Sequence, residues 1–183
     1  MIDNKEKLIA HLAQGHSVKY LHFWGHTPKT DGVDKSCLSQ WFPASFVLDE
    51  HTYLTAEHYM MAQKALLFKD TAMFWAILAC QHPAEAKKYG RKVKDFDPDT
   101  WTRHCFEYVT AGNTAKFAQN PALKSFLLKT NERVLVEASP RDPVWGIGMA
   151  ATHADASNPK KWLGENLLGF ALMAARQQLA KQN

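Results

Sequence analysis

Residues 52–68, Thr-Tyr-Leu-Thr-Ala-Glu-His-Tyr-Met-Met-Ala-Gln-Lys-Ala-Leu-Leu-Phe, constrain the fold more than any other stretch of the chain. They read as one helix beginning near Thr55, whose hydroxyl suits an N-cap. Tyr59, Met60, Met61, Leu66, Leu67 and Phe68 give most of it the pattern of an ordinary core helix. Glu57 and Lys64 break that pattern. Their spacing puts them on one face, two turns and about 10 Å apart along the axis. Helical side chains lean toward the N-terminus, so the spacing aims the Lys64 amine back toward Glu57.

The chain has 183 residues, 46% of them hydrophobic and 22% charged. That suffices for a real core in one globular domain spanning 1–183, and no repeat or internal boundary is visible. The formal net charge is +4, with no block of five like charges. Charge alone therefore does not predict a nucleic-acid groove; it is compatible with an anionic small substrate, and solvated surface lysines are the favoured reading. Cys37, Cys80 and Cys105 are odd in number and form no CxxC pair. With a charged, polar start over residues 1–7 and no apolar run of the ~18–20 residues a membrane span needs, a reducing, cytoplasmic setting is expected.

Local signals predict a mainly α fold, α+β with a minor sheet. Asp3 and Glu6 resemble a capping box that opens a short helix ending at Gly15. Residues 18–24 and 132–138 alternate as strands do. A hairpin across Asp49-Glu50 feeds the central helix. Asp70, Pro83, Asp97-Pro98 and Asn120-Pro121 start further helices, and the last runs from about Asn166 to Leu179. Between Ser139 and Glu165 no element is predicted, yet Trp145 and Trp162 argue against disorder. An ordered loop that covers something is expected there.

Several residues can carry chemistry, each beside a plainer structural role. Glu57 in a first helical turn is favoured by the helix dipole, which keeps the carboxylate ionised unless burial overrides it. Lys64 either snorkels to solvent or, held in an apolar pocket, becomes a nucleophile. His58 reads as a structural partner or a catalytic group. Asp142, Trp145 and Gly146 lie in the long loop, where a tryptophan face can stack a base or sugar and glycines allow close backbone approach. Asn166 is positioned to cap the last helix, whose amides suit a phosphate. Arg91 and Arg141 are candidate phosphate contacts. No HExxH motif, P-loop, GxGxxG or GxSxG elbow occurs, so no metal and no cofactor is predicted.

The ordered set of segments resembles the NADAR, or YbiA-like, family. It comprises Phe23-Trp24, Leu38-Ser-Gln-Trp41-Phe-Pro43, Thr55-Ala-Glu57-His58 through Lys64, and Gly90-Arg91. Lys116-Phe117, Leu135-Val-Glu137-Ala-Ser139, Asp142-Pro-Val-Trp145-Gly146-Ile-Gly148 and Gly164-Glu-Asn166-Leu-Leu-Gly169 complete it. The resemblance runs from about residue 20 to 180 and leaves an N-terminal helix, residues 1–16, outside. It implies a compact helical domain and a hydrolase that cuts the N-glycosyl bond between ribose C1 and a nitrogen. The implied substrates are phosphoribosylamino-pyrimidine intermediates of riboflavin biosynthesis. The alternatives are ADP-ribose on guanine in nucleic acid, or a non-catalytic module that binds ADP-ribose or a nucleotide. Glu57, Lys64 and Asp142 are the implied catalytic residues. Trp24, Trp41, His58, Arg91, Trp145, Gly146 and Asn166 are the implied substrate contacts. Residues 27–35 are longer than in the shorter bacterial members and lie near the expected pocket.

Overall fold

Side-chain caps close four of the helix starts in the computed structural model. It describes residues 2–29 and 31–181; Met1, Thr30 within the 27–35 insertion, Gln182 and Asn183 lie outside. The side chains of Asn4, Thr55, Asp70 and Asp97 accept from the backbone N–H groups of Lys7, His58, Met73 and Thr100. The first cap is Asn4 rather than Asp3, because Asn4 takes the extended backbone of an N-cap while Asp3 pairs with Lys7 at 2.7 Å. The helices that follow are α1 (Lys5–Ala13), α2 (Ala56–Leu67), α3 (Thr71–Ala79), α4 (Pro83–Gly90), α5 (Pro98–Gln119), α6 (Pro121–Lys129) and α7 (Leu167–Ala180). Strands are short: β1 (Tyr20–Phe23), β2 (Phe46–Leu48), β3 (His51–Tyr53) and β4 (Val134–Glu137). The chain is thus mainly α with two small sheets.

The helix α2 is buried without interruption from Ala56 to Gln63 and packs on α3, α4 and α5. Close approach of α5 depends on Gly112, where a Cβ would run into the Tyr59 ring. The hairpin pairs Phe46 with Tyr53 and Leu48 with His51, and its two turn residues, Asp49 and Glu50, sit at φ 49° and 65°. Positive φ at both central positions matches the right-handed twist of the flanking strands.

In the second sheet β1 and β4 run parallel, Tyr20 beside Val134 and Phe23 beside Glu137, with α2 through α6 in the connection. Strand β4 divides two cores. Val134, Val136 and Ala138 face one that contains Leu8, Ile147, Met149, Ala156, Trp162 and Phe170. Leu135 faces the other, which is built on α2. Alternation along a strand therefore sends the Glu137 side chain toward α2 as well.

Residues 139–165 carry turns and one 3-10 turn, Pro159–Lys161. They are ordered by backbone bonds: Ile147 N–H to Glu137 O, Leu163 N–H to Ile147 O, Glu165 N–H to Pro143 O and Asn166 N–H to Gly146 O. What this loop covers is the second core, into which it places Ile147, Met149, Ala156 and Trp162. Among the described residues no helix is long and apolar enough to cross a membrane.

Candidate active site

The first turn of α2 carries Glu57 inward, and only 3% of the residue is exposed. Its backbone N–H is already taken by the Gln40 carbonyl at 3.0 Å, which docks the 37–42 segment on the helix end. One carboxyl oxygen, Oε1, is buried and has no hydrogen-bond partner. Burial pushes the carboxyl up to about 7. Lys87, the Trp41 indole and Arg91 pull it down, while the Asp142 charge pushes it further up. The helix dipole was the reason to expect a fully ionised carboxylate; here desolvation outweighs it.

Glu137, half-buried as a residue, brings the second carboxyl. It closes β4, and its Oε2 is also buried without a partner. Burial raises it to about 8, the charges of Asp142 and Glu57 add to the rise, and Lys87 opposes them. Its backbone is fixed on both sides, by Asn166 Oδ1 at 2.9 Å and by the Ile147 N–H at 2.9 Å. Asp142 folds back on its own loop and accepts from the N–H groups of Val144 and Trp145 at 2.9 and 2.8 Å. Its charge nevertheless acts on both glutamates. Three acids, Lys87 and Arg91 thus form one electrostatic cluster.

Lys64 lies to one side of this cluster. Its Nζ stands 3.9 Å from the Phe96 ring centroid and 5.8 Å from that of Trp101, rather than running back toward Glu57. The segment leading into α5 and the first turn of that helix present these two aromatic faces to the amine, and a cation–π contact holds it there. Burial, then the Arg91 charge, keep its pKa below that of a free lysine. Arg91, exposed at the end of α4, is the group whose charge reaches both Lys64 and Glu57.

The aromatic residues differ in their placement. Trp41 is half-buried, with the Lys87 amine 6.0 Å from its ring and the His26 ring 5.7 Å away, tilted by 48°. Trp145 packs partly into the α2 core. Trp24, directly after β1 and at the same strand end as Glu137, is 57% exposed. His58 is turned to structure instead. Its Nδ1 meets Thr55 Oγ1 at 2.8 Å and its Nε2 the Cys80 carbonyl at 3.3 Å, which occupies both ring nitrogens. Burial foremost lowers its pKa, and the Cys80 carbonyl, which can only accept, calls for a proton on Nε2.

Gly146 and Asn166 also serve the protein itself. A Cβ on Gly146 would lie 2.9 Å from the carbonyls of both Asp142 and Glu137, so the glycine lets the loop close over the strand end. Asn166 is fully buried at φ 56°, and its side chain makes no cap on α7. It bonds β4 instead, through Glu137 N and Leu135 O. Its side chain is thereby committed to β4, not to the mouth of the helix.

Sequence reasoning singled out neither Glu137 nor Lys87 as a site residue. Glu137 follows an apolar strand and reads there as its polar end; only the pairing of β1 with β4 turns it toward α2. Lys87 sits in an ordinary charged helix, Pro83–Gly90. Lys116 was also passed over. It is fully buried in α5 and donates to the carbonyls of Cys37 at 2.7 Å and Ser39 at 2.9 Å, which holds the segment bearing Trp41. A cavity of about 1,100 Å3 opens at the opposite strand ends, lined by Lys19, Arg133, Val134 and Arg176 among others, and contains none of the site residues.

The family model for the NADAR domain matches residues 22–180. The N-glycosidase R617 of Acanthamoeba polyphaga mimivirus is 44% identical over 87% of this chain and 96% of that protein. The N-glycosidase Npun_R5314 of Nostoc punctiforme is 32% identical over 78% of this chain and 85% of its own. Among solved structures, the NMR structure of the Escherichia coli protein YbiA superposes with a TM-score of 0.70 at 26% identity, covering 91% of this chain and 88% of that one.

Proposed function

The chain belongs to the NADAR domain family, and from that premise we propose that it is an N-glycosidase, a hydrolase that cuts the bond between ribose C1 and a nitrogen. The preferred substrate class is a phosphoribosylamino-pyrimidine of the riboflavin route. The relatives named N-glycosidases support the reaction class. The observation that carries the reading is Glu57: a carboxyl buried beneath Trp41 with an oxygen that nothing in the protein satisfies. Cleavage of a ribosyl C–N bond builds positive charge on C1 and the ring oxygen, and a desolvated carboxylate stabilises it strongly.

Lys64 supplies the covalent route. Its Nζ bonds to C1 as the C1–N bond breaks and the leaving nitrogen takes a proton; the ring then opens at C1–O4′, where O4′ keeps the bonding pair and takes the proton that the attacking amine loses, and C1 becomes doubly bonded to Nζ. Water then hydrolyses the resulting Schiff base, returning the amine and a C1 aldehyde that closes to the free sugar. Burial and the Arg91 charge shift the Lys64 amine toward its neutral, nucleophilic form, which favours this route over direct attack by water. Asp142 would orient a ribose hydroxyl, Trp41 and Trp145 would stack the base, and Arg91 and Lys87 would meet phosphate.

A second reading, release of ADP-ribose from guanine in nucleic acid, is favoured by Trp24. Its exposed indole offers a stacking face outside the buried carboxyls, where a longer substrate would lie. Incubation with both substrate types, followed by detection of free base together with ribose 5-phosphate or ADP-ribose, tests the proposal. Release of neither base overturns it.

A further inference from the structure

We propose that Glu137 is a second catalytic carboxyl, the group that delivers a proton to the departing nitrogen, with Glu57 beside it acting as the carboxylate. The inference rests on the N-glycosidase reading and assigns the step that reading leaves without a residue. A nitrogen base cannot leave readily as an anion, so its lone pair must be protonated as the C1–N bond breaks.

Geometry points to Glu137. Alternation along β4 turns it from the second core toward α2, onto the side that Leu135 occupies. The Asn166 amide and the Ile147 N–H fix its backbone, so the carboxyl projects from a rigid strand end. Oε2 of Glu137 and Oε1 of Glu57 are both buried and both without a partner. Other buried side-chain oxygens of the fold also lack partners, but these two belong to carboxyls close enough for one charge to act on the other, which marks a place for a ligand atom or a proton.

Charge decides which of the two holds the proton. The groups facing the pair are Asp142, Lys87, Arg91 and the Trp41 indole. Lys87, Trp41 and Arg91 all favour the ionised form of Glu57. Glu137 meets two negative neighbours, Asp142 and Glu57, and one positive, Lys87. The surroundings thus favour the proton on Glu137 and the charge on Glu57, the division of labour that paired carboxyls adopt when their environments differ.

The step balances. The O–H bond of Glu137 breaks toward nitrogen as nitrogen takes the electron pair of the C1–N bond. The water that later adds its oxygen to C1 gives a proton to Glu57, and that proton returns across the pair to Glu137. One water is consumed and no net proton.

Glu137→Gln is the test, read in two ways. On a phosphoribosylamino-pyrimidine kcat should fall about 10²–10⁴-fold, with the alkaline limb of the pH profile lost. On an N-ribosyl pyridinium 5′-phosphate, whose base leaves without taking a proton, the loss should be at least about tenfold smaller. Carbon-13 NMR of glutamate-labelled protein without substrate should show a protonated buried carboxyl at pH 7 that Glu137→Gln removes. Wild-type turnover on the amine-linked substrate retained by the variant would overturn the inference, as would equal losses on both substrates. Absence of a protonated carboxyl in the wild type overturns it whether or not the variant folds. A wild type that releases no base from any ribosyl substrate instead brings down the N-glycosidase reading, and this inference with it.

Discussion

Asn166 grips Glu137 as an added strand would: its amide oxygen accepts from the Glu137 N–H at 2.9 Å while its amide nitrogen donates to the Leu135 carbonyl at 2.9 Å. The residue reaches this position in the left-handed region, φ 56°, which asparagine tolerates better than most residues. The bond pair ties the start of α7 to the strand end that carries the second carboxyl. Asn166→Leu leaves both backbone groups buried without partners, and we expect a loss of about 2–4 kcal/mol by urea denaturation. A loss below about 0.5 kcal/mol, the range of an indifferent surface change, would show that the pair contributes nothing.

Stability should fall as pH rises through the neutral range. Glu57 is raised from 4.5 to about 7 and Glu137 from 4.5 to about 8, so the folded state binds protons more tightly than the unfolded chain. Their contribution is fully present below pH 4.5 and is lost as pH rises through 7 and 8. Each group adds a slope of at most about 1.4 kcal/mol per pH unit within its window. Lys116, lowered by burial to about 7, has the opposite sign between about 7 and 10.5. Denaturation midpoints at pH 5, 6, 7 and 8 should decline, and Glu57→Gln should flatten the decline.

Glu57→Gln and Lys64→Ala should each remove most turnover, about 10²-fold or more, while the protein stays folded. Borohydride added during turnover should attach the sugar to Lys64, visible as a mass increase on its peptide. Normal turnover by Lys64→Arg would rule out the Schiff base, because a guanidinium does not form one.

Lys116→Met keeps the volume but leaves the Cys37 carbonyl without its Lys116 donor and the Ser39 carbonyl with the Phe42 N–H alone. Stability should drop by about 1–3 kcal/mol. The segment bearing Trp41 should loosen, and kcat/KM with it should fall about tenfold. Unchanged kinetics would mean that Trp41 is held by its other contacts alone.

Trp41→Phe keeps a ring but removes the indole N–H that favours ionised Glu57. The acid limb of the pH–rate profile should move upward, since the carboxyl then ionises later. A profile that stays in place would show that the indole does not reach the ionising group.

Much of the fold was legible because it is written locally. Thr55, Asp70 and Asp97 cap the helices they were expected to cap, and prolines 83, 98 and 121 stand in first turns. Asp49-Glu50 makes the hairpin turn, and the ordered loop was visible in its tryptophans. The site was harder to read. Spacing placed Glu57 and Lys64 on one helix face, yet the amine lies against Phe96 and Trp101, residues that the connection into α5 and the first turn of that helix bring alongside. Helical geometry limits where a side chain can reach; the neighbouring element decides where it rests.

The sequence by itself determined where helices start and turn, since capping and periodicity act over a few residues. It also determined that Glu57 enters a first helical turn. Only the tertiary structure decided that β1 and β4 pair in parallel and that Glu137 comes beside Glu57, Asp142 and Lys87. Burial and charge act through space, between residues far apart in the chain, and no local pattern encodes which of them will meet.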